Sequence, residues 1–215
     1  MQTTNNNKYP FFDLLEVVAE PDLKFRKLKS LHPVKAGNLV PEFKLNNDYS
    51  RWQQFYNGAE THGPISQRNL LNKPLVISFY SRHWGQQGLA QLKQLNNLQH
   101  EVKASGGNLL IISDERTEDL EKWAWEQSLT LNFYHDADKE IAQQFRVYSE
   151  DYPVWDRFSG IDENAPLLAT YIIIEPSKQV IYSHIDWDFL GTFSAEDIIS
   201  TVYESALISN SRRSA

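Results

Sequence analysis

Five residues, Trp84, Gly85, Gln86, Gln87 and Gly88, separate an apolar run from an amphipathic one, with His83 directly before them. A turn at this place puts whatever it carries at the start of a helix. There, unpaired N–H groups and the positive end of the dipole favour negative charge. A thiol so placed ionises easily and attacks as the thiolate. The chain, however, contains no cysteine. Thiolate nucleophiles, disulfide relays, thiolate metal sites and iron–sulfur ligation are therefore excluded for this chain acting alone. What remains at the turn is backbone chemistry, because glycines allow close approach and helix N-terminal amides bind an anion without a reactive side chain. Either the glycines merely make the turn and water caps the amides, or Gly85 and Gly88 allow a ligand into a shallow pocket near Trp84, Gln86 and Gln87. It would take a carboxylate, a phosphate or the carbonyl of a protein partner.

Other residues with chemical capacity read more plainly. His83, flanked by Arg82 and Trp84, fits a surface or hydrogen-bonded structural residue better than a base. His135, Asp136 and Asp138 are metal-capable, but Asp-x-Asp before a helix reads first as capping. In "HIDWDF" (residues 184–189), Asp186 and Asp188 are two apart and face the same way on an extended segment. They read as an acid/base pair or, more simply, as residues shaping a pocket rim. No Gly-x-Ser-x-Gly elbow, phosphate-binding P-loop or His-Glu-x-x-His zinc motif occurs. Neither a metal nor a cofactor is expected.

These residues need elements to hold them. The chain has 215 residues, 41% of them hydrophobic and 23% charged, enough to bury a full core in one main domain. The net charge is −7 and no Lys/Arg-rich run is present, which argues against nucleic acid as a partner. No stretch approaches the roughly 20 apolar residues of a membrane span. The N-terminus lacks the basic region and cleavage site of a secretory signal, so a cytoplasmic protein is expected.

Residues 10–31 carry Phe11, Leu14, Leu15, Val18, Leu23, Phe25 and Leu28 at roughly helical intervals, interrupted by Pro21. They predict an N-terminal helical extension over 1–35, a candidate docking element. The main domain is expected over 36–208 and a tail over 209–215. Residues 73–81, "KPLVISFYS", predict a strand covered on both faces. Leu89, Leu92, Leu95, Leu98 and Val102 predict a helix ending at Gly106 and Gly107. Residues 108–115 predict a second strand, Leu120, Trp123 and Ala124 a second helix, residues 129–136 a third strand and residues 139–145 a short helix. Two β-rich runs over 167–186 predict a hairpin. Ser194 with Asp197 predicts a capping box opening a last helix. This order gives an α/β sandwich, a mostly parallel sheet with an antiparallel edge and helices on both faces.

Four segments then carry a family resemblance. "AGNLVPEFKLNN" (residues 36–47) looks like the opening Gly-x-x-x-Pro-x-Phe-x-Leu of the peroxiredoxin-like group, which includes alkyl hydroperoxide reductase and the thiol-specific antioxidants. "PLVISFYSRHWGQQG" resembles its Val-x-Ser-Phe-Tyr-Arg-Gly-x-Trp-Cys-Pro-x-Cys signature. "DADKEIAQQFRV" is similar to its Asp-x-x-x-x-x-Ala-x-x-Phe-Gly-Val helix, and "LLATYIIIEPSKQVIYSHIDWDF" to its Pro-Ala-Thr-Tyr-Val-Ile-Asp hairpin. The resemblance implies a thioredoxin-like α/β sandwich with a central mixed sheet, and often a homodimer.

The resemblance also implies that Trp84 matches the family Trp, while Gly85 and Gly88 occupy the two cysteine positions. Ser81 stands for Arg, Arg82 for Gly and Gln86 for Pro. Leu168 takes the place of the proline that thioredoxin folds usually hold cis, so a trans bond and a reshaped pocket are expected there. The chain is thus expected to be a cysteine-less member without catalytic residues. It would serve as a binding or regulatory module with a small anion or protein partner. The competing expectation is an antioxidant oxidoreductase using a non-cysteine mechanism or an external thiol.

Overall fold

The computed structural model describes residues 31–45, 65–151, 165–174, 178–187 and 193–213. The expected extension up to residue 30, Asp188 and residue 214 onward lie outside the described residues. Leu31 and Val34 are buried, and the Val34 amide donates to the carbonyl of Phe145. This stretch is therefore continuous with the domain core.

The strands are β1 (Lys44–Leu45), β2 (Ile65–Ser66), β3 (Leu75–Tyr80), β4 (Asn108–Ser113), β5 (Phe133–His135), β6 (Ala169–Ile174) and β7 (Gln179–Ile185). The helices are α1 (Gln67–Leu70), α2 (Gly85–Ala104), α3 (Thr117–Glu126), α4 (Glu140–Gln144) and α5 (Ala195–Arg213). β1 and β2 form a small antiparallel pair, and the main sheet has the order β5-β4-β3-β6-β7. β3 runs parallel to β4, and β4 to β5, while β6 and β7 are antiparallel to their neighbours. Every residue of β3 and β4 is buried, as expected for strands covered on both faces.

The registers set what lies at the working edge. Tyr80 pairs with Ser113, and Ser113 with His135, so three parallel strands end side by side. Phe79 pairs with Ala169, which brings the start of β6 to the same edge. Ligands of open α/β sheets sit outside such carboxyl ends.

Beneath that edge, the Ser78 and Thr170 hydroxyls lie 3.1 Å apart and the Gln91 amide donates to Ser78 at 2.9 Å. This buried, satisfied set fixes α2 against β3 and β6, since leaving any member unpaired would cost about 1–3 kcal/mol. Phe145 is the hub of an aromatic cluster, with Phe79 and Tyr171 each 5.2 Å away and Phe43 at 5.8 Å.

Most predicted elements appear, with trimmed ends. The expected third strand over 129–136 shrinks to β5. Ser128 takes a φ of 56°, and the Leu129 amide turns back to the Ala124 carbonyl to close α3. Ser194 accepts from the Asp197 amide at 3.1 Å, the first half of the predicted capping box.

Candidate functional site

β3 ends at Ser81, which is extended (φ −139°, ψ 145°) and fully buried. Its hydroxyl accepts from the His83 amide at 3.4 Å, and its carbonyl from the Trp84 amide at 3.2 Å. These bonds wind Arg82–Trp84 into one turn of 3-10 helix, a feature absent from the sequence reading. Gly85 follows at φ 53° and ψ −127°. That conformation is open to glycine and strained for any residue with a Cβ, by about 1–3 kcal/mol. Gly88 is required for a different reason: a Cβ there would lie 2.9 Å from the Tyr80 ring and 3.1 Å from the Trp84 Cβ. One position is closed by backbone angle and the other by packing.

Trp84 is the anchor. It is buried, and its indole N–H donates to the Pro166 carbonyl at 2.6 Å, tying the turn to the loop before β6. Leu168 in that loop is fully buried, and its carbonyl accepts from the Asp186 amide at 2.9 Å. Residues far apart along the chain, Trp84, Leu168 and Asp186, are thus brought to one edge. All three are buried there. Trp84, Gly88, Leu168 and Asp186 hold the site from beneath. Gly85, Gln86 and Gln87 are exposed and His83 is half-buried. No side chain at Trp84 caps α2.

Beside the turn stands a charged cluster that sequence reasoning missed. Asp114 and Glu115 directly follow β4. Glu115 accepts from the Arg82 amide at 3.2 Å and pairs with its guanidinium at 3.9 Å. Asp114 lies 3.8 Å from the ammonium of Lys139, and its Oδ1 is buried without a hydrogen-bond partner. Burial pushes the Asp114 carboxyl up, against the Ser81 hydroxyl and the Lys139 and His83 charges. Burial and then the Asp114 charge push Glu115 up as well. A pair of acids just past an apolar strand was the available signal.

Asp136 completes this edge. Its Oδ1 and Oδ2 accept from the Ile141 and Ala142 amides at 3.2 and 3.0 Å, capping α4 as the Asp-x-Asp reading expected. Burial raises its pKa, and those same amide bonds oppose the rise. At the far side, burial lowers the pKa of His184, partly offset by the Asp186 charge, and its ring meets Phe193 edge-on at 6.3 Å.

A strand, a Trp-bearing turn with glycines where a thiol would sit, a helix, and a late antiparallel hairpin facing the turn now stand together. The AhpC/TSA family model matches residues 36–183. The chain belongs to the AhpC/TSA family.

Among proteins of that kind, it is 23% identical over 131 residues to Peroxiredoxin Bcp of Escherichia coli (strain K12), covering 61% of this chain and 76% of that protein. It is 22% identical over 145 residues to a putative peroxiredoxin bcp of Helicobacter pylori, covering 67% and 88%. Among solved structures, Enterococcus faecalis AhpC superposes with a TM-score of 0.60 at 14% identity, covering 83% and 96%. Peroxidoxin BcpB from Mycobacterium tuberculosis gives 0.55 at 18%, covering 81% and 97%. These likenesses establish a thioredoxin-like peroxiredoxin fold around a mixed five-stranded sheet. Among the described residues, no helix is long and apolar enough to cross a membrane.

Proposed function

We propose that this AhpC/TSA-family chain has no thiol peroxidase activity of its own and acts as a binding or regulatory module through the turn over residues 82–88. One observation carries the reading: both positions matched to family cysteines are glycines held where a side chain is strained or crowded. A lost nucleophile alone would leave a turn able to take it back. Here the backbone angle at Gly85 and the contact of Tyr80 with Gly88 make the turn a glycine structure in its own right.

What such a turn offers is recognition. Exposed Gly85, Gln86 and Gln87 open α2 with no side-chain cap, so their neighbourhood favours a small anion or a partner's carbonyl. The partner is a small anion or another protein, a second copy of this chain included.

Peroxide consumption by the purified protein, with dithiothreitol or thioredoxin as reductant, tests the reading. No consumption above the reductant blank is expected. Thiol-dependent turnover would reject it in favour of an oxidoreductase drawing on an external thiol.

A further inference from the structure

Away from the glycine turn, four of the described non-glycine residues, Ser128, Lys139, Arg146 and Lys178, take a positive φ, and Arg146 is the one that closes α4. α4 closes with the Arg146 amide donating to the Gln143 carbonyl at 2.9 Å and the Val147 amide to the Ala142 carbonyl at 3.0 Å. A helix end of this kind puts one residue in the left-handed region, and Arg146 takes it with φ 57°. Glycine adopts that conformation freely, whereas arginine carries the Cβ penalty. A strained residue held at an exposed helix end directs attention to what its side chain does.

Arg146 lines a cleft of about 520 Å3, shared with His32, Tyr148, Ser149, Glu150 and Asp151. That volume is within the range of small-ligand sites. Its lining carries both signs of charge. Arg146 presents the planar fork that matches a carboxylate. Tyr148 adds a hydroxyl that burial and the Glu150 charge hold in its protonated form. Its ring is fixed under the Lys139 ammonium, 5.1 Å from the centroid. Glu150 and Asp151 are exposed on a turn closed by the Asp151 amide donating to the Ser149 hydroxyl at 3.2 Å. A multiply charged anion would meet those carboxylates, and a plain cation would meet Arg146.

We propose that this cleft binds a small zwitterion, with its carboxylate on the Arg146 guanidinium and its ammonium toward Glu150 and Asp151. A free amino acid and a short peptide share this chemistry.

Isothermal titration of the full chain with L-alanine and with L-alanyl-L-alanine tests it, with acetate, ethylammonium and inorganic phosphate as the half-ligand and anion controls. At least one zwitterion should bind at least about tenfold more tightly than any control. Which of the two binds better identifies the source. Arg146→Gly should weaken that binding at least about tenfold while leaving the melting temperature unchanged or higher, because it relieves the left-handed strain. Arg146→Gln, which keeps a long side chain and removes the charge, should weaken it too. The proposal is overturned if neither zwitterion binds, if phosphate binds as tightly, or if either variant binds like the parent. A lower melting temperature in Arg146→Gly would equally overturn it, since the arginine would then be structural.

Discussion

The turn over residues 82–88 and the carboxylate edge formed by Asp114, Glu115 and Asp136 lie side by side and are built by opposite means. From Trp84 to Gly88, shape dominates: a 3-10 winding, a positive φ at Gly85, a crowded Gly88 and one indole hydrogen bond. At the carboxylate edge, charge is taken out of water and held by Arg82, Lys139 and backbone amides. Where a thioredoxin-like fold can place its reactive group, this chain has a structure of glycine and tryptophan. The acids Asp114, Glu115 and Asp136 are gathered beyond β3, at the ends of β4 and β5. Scaffold and chemistry are thus separable, because the fold depends on the anchor and the strand registers and not on the nucleophile.

The largest effect should come from the anchor. Trp84→Ala removes a buried ring and the bond to the Pro166 carbonyl, and should destabilise the protein by about 3–5 kcal/mol in denaturant unfolding. A loss under about 1 kcal/mol would mean that the turn holds its shape without Trp84.

Crowding comes next. Gly88→Ala forces a methyl against the Tyr80 ring at 2.9 Å, and about 1–3 kcal/mol should be lost. A neutral result would erase the distinction between a rebuilt turn and one that merely lacks its cysteine.

On the carboxylate edge, Asp136→Ala frees two α4 amides, and about 0.5–2 kcal/mol should disappear, read from the unfolding midpoint.

The pH profile gives the smallest and most specific effect. Burial raises the Asp114 pKa in the folded state, so the folded protein binds the proton more tightly than the unfolded chain. The stability gained is fully present below the ordinary carboxylate pKa and is lost as pH rises through the raised value. Asp114→Asn should flatten this part of the profile, monitored by melting temperature from pH 4 upward. An unchanged slope would assign the dependence to Glu115 or Asp136, which carry shifts of the same sign.

Much of the fold was legible because periodicity is a local property. The Leu89, Leu92, Leu95, Leu98 series lies within α2, the apolar runs became β3 and β4, and turn residues marked the β6–β7 hairpin. The glycine replacements at 85 and 88 were visible as letters, but their physical necessity was not. A positive φ and a 2.9 Å approach depend on Arg82–Trp84 winding and on where Tyr80 lies, neither of which spacing reveals.

The burial of Leu168 and Asp186 was hidden for a similar reason, since both depend on the loop before β6 meeting the end of β7. Asp114 and Glu115 were read as the tail of a strand. Only the side-by-side ending of β3, β4 and β5 makes them neighbours of the turn. The left-handed backbone of Arg146 depends on how α4 closes, which the letters around it do not show.

On the proposed reading, the turn is rebuilt around glycine rather than simply stripped of thiols. Peroxide consumption by the parent and by Gly85→Cys/Gly88→Cys, measured side by side with dithiothreitol or thioredoxin, tests it most directly. No turnover by either protein is expected, with a lowered melting temperature in the variant from strain at 85 and crowding at 88. Clear turnover by a variant that folds as well as the parent would contradict it, because the scaffold would then be an intact peroxidase lacking only its nucleophiles.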